Sequence, residues 1–453
     1  MSFSNLVFFP AYIFALVTTA KVSAFQQPTP YLYRGESVVL TGSTGFIGMC
    51  ALKTLLLHTD VERVILPVRV NGEQTIENAS KRLSNVIDKY GKELGISIDN
   101  PIICPVPVTN DDCCNYLDGI SHAPNDILSK CSTILHLAGN TDWVSEDELI
   151  ESNLQSTMRF LEGADDVLPN VNSFLFTSTG FAEAKNKVSQ NSPVPEGTLS
   201  VVCSENTYFS GYGKVKAMTE HAIEDWVNHN SGQTNIHVSI FRPGTVGPSI
   251  GLDGVPVGWY TNNKSLAAAL ALSNPSNVFG KLVNPVTAQR GVGTGIIPVD
   301  YIANMIVLTG GNIKNIAVKE DGTIGTTRNK PFYLNGCCSA PFEPKWEDFF
   351  ERSGKRCSNN LLEYNEAIQQ MLERADSELG YTRLKMKLLH AMVQAASTFT
   401  PLTFHDWKWD TDNQALLYDG LHPKYRASIP ISVSDKDQMT AWVDALTTKI
   451  GGM

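Results

Sequence analysis

Five residues of strand-forming sequence, SVVLT at 37–41, run directly into TGSTGFIG at 41–48, and FIGMCALKTLLLH at 46–58 continues with helical spacing. This strand–turn–helix passage restricts the possible folds more than any other stretch of the chain. Glycines let the main chain come close to an anion, and the unpaired N–H groups and dipole of a helix N-terminus favour negative charge there. Thr41, Gly42, Ser43, Thr44, Gly45, Phe46, Ile47 and Gly48 are therefore predicted to cradle the pyrophosphate of a dinucleotide.

The alternation continues downstream. RVILPVRV at 63–70 reads as a second buried strand, and IICPV, STILHLA, NSFLFTS and HVSIFRP read as later ones, with amphipathic stretches between them. Near-continuous apolar strands are those buried on both faces, which predicts an α/β chain built on a doubly wound parallel Rossmann sheet. Residues 249–295 are rich in Gly, Pro and Asn and read as loops and a short helix outside that sheet. Beyond Pro341, NNLLEYNEAIQQMLERADSELGY and TRLKMKLLHAMVQAASTF have the spacing of consecutive helices. The expected division is an α/β domain at 37–340 followed by a mainly helical C-terminal region at 341–453.

A net charge of −10 without a dense Lys/Arg block argues against a nucleic-acid partner, because nothing would displace phosphate counterions. There are nine cysteines and no C-x-x-C pair, and the doublets Cys113-Cys114 and Cys337-Cys338 are too close for zinc-knuckle spacing. No metal site is expected, and the thiols read as reduced. The N-terminus carries an apolar run, LVFFPAYIFALVTTA at 6–20, which is interrupted by Pro10 and is short for a bilayer span. Small residues follow at Val22-Ser23-Ala24, so 1–24 reads as a signal peptide or an uncleaved signal anchor. A cut there leaves Phe25 first, in a junction that resembles the ASAFAP site of bipartite plastid presequences in algae with secondary plastids. Residues 25–36 are then a spacer or transit peptide. The expectation is delivery to a plastid through the endoplasmic reticulum, with the endoplasmic reticulum membrane as the alternative.

Arg69 lies at the end of the second strand, where a chain selective for NAD has an acid for the ribose hydroxyls. A guanidinium there suits a 2′-phosphate instead, which points to NADPH. Arg82 is expected to curl back as a second contact. Ala138 and Gly139 are small enough to let a cofactor lie over a strand end, and His136 reads as a satisfied core histidine. Tyr212 and Lys216, four apart in GYGKVKAMTEHAIEDW, share one helix face. The ammonium is expected to lower the phenol's pKa toward neutrality and also to hold the nicotinamide ribose. FLFTSTGF ends in hydroxyls, of which Thr179 is the preferred contact to a substrate oxygen and Ser178 the next. Asn153 either supports Lys216 through a water or caps a helix.

TGSTGFIG, Arg69, the hydroxyl-ended strand and Tyr-x-x-x-Lys, in that order, resemble the extended short-chain dehydrogenase/reductase family. Further segments are more specific. VRVNGEQTIENASKRL resembles the "LVR…G…A…RL" stretch of fatty acyl-CoA reductases and thioester reductase domains, and FTSTGF resembles their "VSTAY". FRPGTVGPS, PVGWYTN and GIIPVDYIANMIV resemble the fatty acyl-CoA reductase series "RPSIVG…PGWIDN…DIIPVDYVVN", with Pro243 and Gly244 expected beside the cofactor. FTPLTFHDWKWDTDNQALLYDGL resembles that family's C-terminal male-sterility region. The chain departs from the pattern at Gly180 and Phe181, where Ala and Tyr are usual, and at Gly244, where Ser is usual. The usual Gly-Asp after the third strand is missing, with Thr109-Asn110-Asp111 nearby.

The resemblance implies an NADPH-dependent reductase of long-chain fatty acyl thioesters, carried by CoA or acyl-carrier protein, yielding aldehyde or alcohol. Peripheral contact with a membrane belongs to the same expectation. Thr179 and Tyr212 would hydrogen-bond the developing oxyanion, Tyr212 would supply the proton, and no cysteine nucleophile is needed. An acyl groove is expected along Trp259-Tyr260 and a helix at Leu388 to Phe399. Two rival readings are a sugar-nucleotide epimerase or hydroxysteroid dehydrogenase, which would favour an acid at position 69, and a degenerate NADP-binding sensor, which would not need Tyr212, Lys216 and Thr179 together.

Overall fold

The computed structural model describes residues 32–109, 115–141, 145–184, 192–199, 208–260, 289–313, 330–337, 343–350, 405–419 and 436–451, with isolated positions between 363 and 390. The apolar leader, Asn110-Asp111 and, apart from His390, the helix expected at Leu388 to Phe399 lie outside the described residues.

Seven strands form one wholly parallel sheet. They are β1 (Ser37–Thr41), β2 (Arg63–Val70), β3 (Ile103–Thr109), β4 (Cys131–His136), β5 (Ser173–Thr177), β6 (His237–Pro243) and β9 (Phe332–Gly336), in the spatial order β3-β2-β1-β4-β5-β6-β9. A separate parallel pair joins β7 (Thr245–Gly247) to β8 (Ile296–Pro298). From β1 the chain builds outward to β3 and then returns to β4 on the other side of β1. The strand order therefore reverses between β1 and β4, and a crevice opens outside their carboxyl ends.

The helices used below are α1 (Phe46–His58), α2 (Ile76–Val86), α3 (Tyr116–Ser121), α4 (Glu146–Leu149), α5 (Ser156–Glu162), α6 (Gly211–His229) and α7 (Val299–Asn312). Alternate residues of each strand serve opposite faces. Val38 and Leu40 pack with α1, α2 and α7, whereas Val39 packs with α3, α5 and α6. Each of these side chains is completely buried, contributing about 1.5–3 kcal/mol. Helix α7 is buried on every side, so its sequence lacks the polar stripe by which a surface helix is recognised.

At the start of α7 the Asp300 carboxylate accepts hydrogen bonds from the backbone N–H groups of Ile250 (3.0 Å), Gly251 (3.0 Å) and Leu252 (2.9 Å). Burial pushes its pKa up to about 6. Trp259, expected in an acyl groove, is instead a core residue. It stacks on Phe46 at 5.5 Å and donates from Nε1 to the Tyr90 carbonyl at 2.9 Å. Tyr260 meets Phe46 edge-on at 4.6 Å. The pair covers the start of α1.

In the C-terminal region α8 (Trp346–Phe350), α9 (Asp412–Asp419) and α10 (Lys436–Gly451) are helical. Helix α10 docks through Trp442, whose Nε1 donates to the Pro248 and Ser249 carbonyls at 3.1 Å each. Trp409 bridges in parallel to Val194, beside the sheet. Among the described residues no helix is long and apolar enough to cross a membrane.

Candidate active site

The turn after β1 is shaped by what its glycines leave out. Gly42 has φ +71°, and a Cβ there would come within 2.9 Å of the Ala138 nitrogen. A Cβ on Gly48 would overlap the Gly42 carbonyl oxygen, so only glycine lets α1 sit this close to the turn. Helix α1 begins at Phe46 with no side-chain cap, which leaves its first N–H groups to an outside acceptor. Ser43 is buried and its hydroxyl has no hydrogen-bond partner. A bound diphosphate would satisfy these donors, so the turn fits a dinucleotide. Thr41 also holds the strand ends. Its Oγ1 lies 2.9 Å from His136 Nδ1 and accepts from the N–H groups of Leu137 and Ala138 at 3.1 Å each, locking the ends of β1 and β4 together.

His136 also meets Thr157 Oγ1 at 3.1 Å through Nε2. Burial, reinforced by Lys216, lowers its pKa to about 3, so it is a neutral core group. At the edge of the crevice, Arg82 donates to the Arg69 carbonyl. Burial and the neighbouring Arg69 hold the Arg82 guanidinium below its ordinary pKa. The two cations are thus together at the end of β2, with Arg69 exposed.

Helix α6 carries Tyr212 and Lys216 and starts with Ser210 as its N-cap, whose Oγ accepts from the Gly213 N–H at 3.1 Å. A Cβ on Gly213 would lie 2.7 Å from the Phe181 carbonyl oxygen, so this glycine lets the first turn of α6 press against the chain just past Thr179. Lys216 is buried and its Nζ donates to the Thr177 carbonyl at 2.8 Å, tying α6 to the end of β5. The same Nζ lies 4.6 Å from the centre of the Phe176 ring and 5.9 Å from that of Tyr212. A Cβ on Gly139 would fall 3.2 Å from both Lys216 Nζ and Asn153 Oδ1, so the bare glycine keeps that side of the lysine open. Asn153 is not the helix cap that was one of its two expected roles. It sits inside a π-helical turn, Ile150–Gln155, between α4 and α5. Its amide pairs with the Asn140 backbone, accepting from N–H at 2.6 Å and donating to C=O at 2.9 Å.

Thr179 Oγ1 accepts from the Phe181 N–H at 3.3 Å, while the buried Ser178 hydroxyl has no partner. Pro243 accepts from the Gly180 N–H at 2.7 Å, and a Cβ on Gly244 would overlap the Gly295 carbonyl oxygen. The departure from Ser at 244 is therefore steric. The structure thus brings Thr179, Ser178, Tyr212, Lys216 and Gly139 to neighbouring strand ends.

The expected lowering of the Tyr212 pKa is corrected. Burial raises it above the ordinary phenol value. The phenol is a protonated donor throughout the working range. Burial also lowers Lys216 to about 8, against a smaller upward pull from Glu220. Its folded pKa is below the unfolded one, so between the two the unfolded chain binds more protons and this group's contribution to stability rises with pH. For catalysis the sign is reversed, since the ammonium is lost as pH rises through about 8. The kcat/KM profile is expected to have a basic limb near that pH. A profile flat from about pH 7 to 9 would remove Lys216 from that role.

Sequence reasoning missed the C-terminal contribution. Trp409 donates from Nε1 to the Gly180 carbonyl at 2.9 Å, directly beside Thr179. The alternation WKW at 407–409 is the only local signal of an extended segment there.

The family model described as male sterility protein matches residues 40–306, more than half of the chain. Fatty acyl-CoA reductase 1 of Gallus gallus is 24% identical over 448 residues, spanning 89% of this chain and 82% of the relative. The Homo sapiens protein of the same name is 23% identical over 441 residues, with 89% and 82% spanned. Among solved structures, the terminal R domain of the myxalamid PKS-NRPS pathway has a TM-score of 0.61 at 16% identity, covering 97% of this chain and 98% of that one. The R domain of a Mycobacterium tuberculosis non-ribosomal peptide synthetase has a TM-score of 0.56 at 16% identity, with 96% of each chain covered. At such identity the likeness is one of fold. The chain belongs to the male-sterility, fatty acyl-CoA reductase family, and it is a nicotinamide-dependent oxidoreductase on the extended short-chain dehydrogenase fold.

Proposed function

We propose that the chain reduces long-chain fatty acyl thioesters, on CoA or acyl-carrier protein, using NADPH, to the aldehyde or the alcohol. The observation that carries this reading is the junction of α6 with the end of β5, where Lys216 Nζ, one helical turn beyond Tyr212, holds the Thr177 carbonyl at 2.8 Å, two residues before Thr179. The turn at 41–48 and the Arg69–Arg82 pair would hold the cofactor's diphosphate and 2′-phosphate. When bound, the reduced nicotinamide supplies a hydride to the thioester carbonyl carbon.

The chain's own groups manage the oxygen and the proton. Thr179 and Tyr212 donate to the developing oxyanion, and Tyr212, held protonated by burial, gives up its proton to form the hemithioacetal. Collapse of the hemithioacetal breaks the C–S bond and releases the thiol and the aldehyde. The scheme needs no cysteine nucleophile. Burial raises the thiol pKa of Cys50, Cys104 and Cys131, the last to about 12, which leaves them without thiolate at neutral pH.

The test is purified protein with NADPH or NADH and a panel of acyl-CoAs and acyl-carrier proteins, the products identified by mass. Fatty aldehyde or alcohol is expected, with NADPH preferred. Turnover of sugar nucleotides or hydroxysteroids with no acyl product would overturn the reading. Arg69→Ala is expected to weaken NADPH roughly tenfold or more, the worth of a charge-assisted contact, and to leave NADH nearly unchanged. Equal weakening of both would make Arg69 structural.

A further inference from the structure

The C-terminal segment lies on the turn that carries Thr179. Its backbone is fixed on two sides. The Val194 N–H donates to the Lys408 carbonyl at 2.8 Å, the Asp410 N–H donates to the Val194 carbonyl at 3.0 Å, and Asn335 Nδ2 donates to the Asp410 carbonyl at 2.8 Å. From that support Trp409 reaches across the ends of β5 and β6. Trp407 stacks beside it at 6.3 Å, and Phe181 stands edge-on to both. Two glycines make the room. A Cβ on Gly295 would overlap the Trp409 ring, and one on Gly180 would lie 2.9 Å from Nε1.

The indole N–H donates to the Gly180 carbonyl at 2.9 Å, and the N–H of Phe181 donates to Thr179 Oγ1 at 3.3 Å. That carbonyl and that N–H belong to one planar peptide group. The indole therefore fixes the plane of the donor that occupies the Thr179 oxygen, and hydrogen bonds in such a chain polarise one another. With its oxygen accepting from Phe181, the hydroxyl has its hydrogen left to give.

We propose that Trp409 is a positioning residue for the reaction. Through the Gly180–Phe181 peptide it orients Thr179 so that the hydroxyl hydrogen is directed at the substrate's carbonyl oxygen. This rests on the reading of Thr179 as the substrate contact, so the experiment carries a separate arm for that reading.

Trp409→Phe removes the indole N–H and keeps an aromatic ring. The expected result is a fall in kcat of about tenfold, one neutral hydrogen bond's worth. KM for the acyl substrate, the Kd for NADPH and the Tm should stay close to wild type. Gly180→Ala, which leaves the indole in place but puts a methyl against it, is expected to lower kcat similarly. The double variant should lose no more than the worse single one, because both break the same link. In a Thr179→Val background, Trp409→Phe should have no further effect on kcat.

Wild-type kcat in a folded Trp409→Phe protein would overturn the proposal, as would losses that simply add. If Trp409→Phe does not fold, Gly180→Ala alone and in the Thr179→Val background carries the same test. If Thr179→Val itself leaves kcat unchanged, the reading of Thr179 fails. If Thr179→Val lowers kcat and Trp409→Phe does not, only the role of Trp409 fails.

Discussion

Tyr212→Phe is expected to lower kcat by about 10²–10⁴-fold, the range over which a positioned proton donor contributes. The Kd for NADPH should hardly change. The ring remains, so the start of α6 keeps its packing, and Gly213 still seats that turn against the Phe181 carbonyl oxygen. Only the transition state needs the phenolic hydrogen, so the loss belongs in kcat. Burial holds the phenol above its ordinary pKa, so Tyr212 should add no limb of its own to a pH profile near neutrality. Stopped-flow turnover with a saturating acyl thioester, alongside cofactor titration by fluorescence, measures both quantities. More than about a tenth of wild-type kcat, a loss under roughly 1.4 kcal/mol, would remove Tyr212 from the proton-donor role.

Arg242→Met is expected to destabilise the chain by about 3–5 kcal/mol, the cost of stranding a buried charge. Arg242 on β6 is fully buried and pairs with the buried Glu220, Nη2 to Oε2 at 2.6 Å and Nε to Oε1 at 3.0 Å. The guanidinium also donates to the Pro195 carbonyl at 2.6 Å and the Gly197 carbonyl at 2.8 Å, and lies 4.7 Å over the Tyr333 ring. Glu220 is one turn beyond Lys216 on α6, so the pair fastens the helix that carries Tyr212 to the strand beside β5. Urea unfolding should show a lower midpoint at unchanged slope. The double variant Arg242→Met/Glu220→Leu should recover part of the loss, because neither charge is then left alone. A change below about 1 kcal/mol in the single variant would mean that the pair is hydrated and contributes as a surface pair does.

The parts that sequence alone made readable are those whose meaning is local. The strands β1, β2 and β6 and the helix α1 have the boundaries that the apolar runs suggested, because a buried parallel strand and a glycine turn each carry their own pattern. Tyr212 and Lys216 could be placed together because a helix fixes where i and i+4 stand. What could not be read depends on partners distant in the chain. Strand β9 is five residues long and, among the described residues, pairs only with β6. Gly180, Gly244 and Gly295 look like ordinary loop glycines until the Trp409 ring and the close backbone approaches are present. The cap role of Asn153 was misread because a π-turn breaks the regular helical spacing, and the Tyr212 pKa because a neighbouring charge can be counted from sequence whereas burial cannot. The placement of Trp259 against Phe46 is another such case, since an aromatic in a Gly- and Pro-rich stretch does not reveal which surface it covers.

The bond between Trp409 and Gly180 spans 229 positions of the chain. At translation rates of 5–20 residues per second, roughly 10–50 s separate the appearance of Gly180 from that of the tryptophan that meets it. The residues of β1 to β5 and of α1 are all synthesised well before then, so the turn after Thr179 is made long before its indole. Whatever the indole contributes to the turn after Thr179 is therefore added only once the C-terminal region has been synthesised.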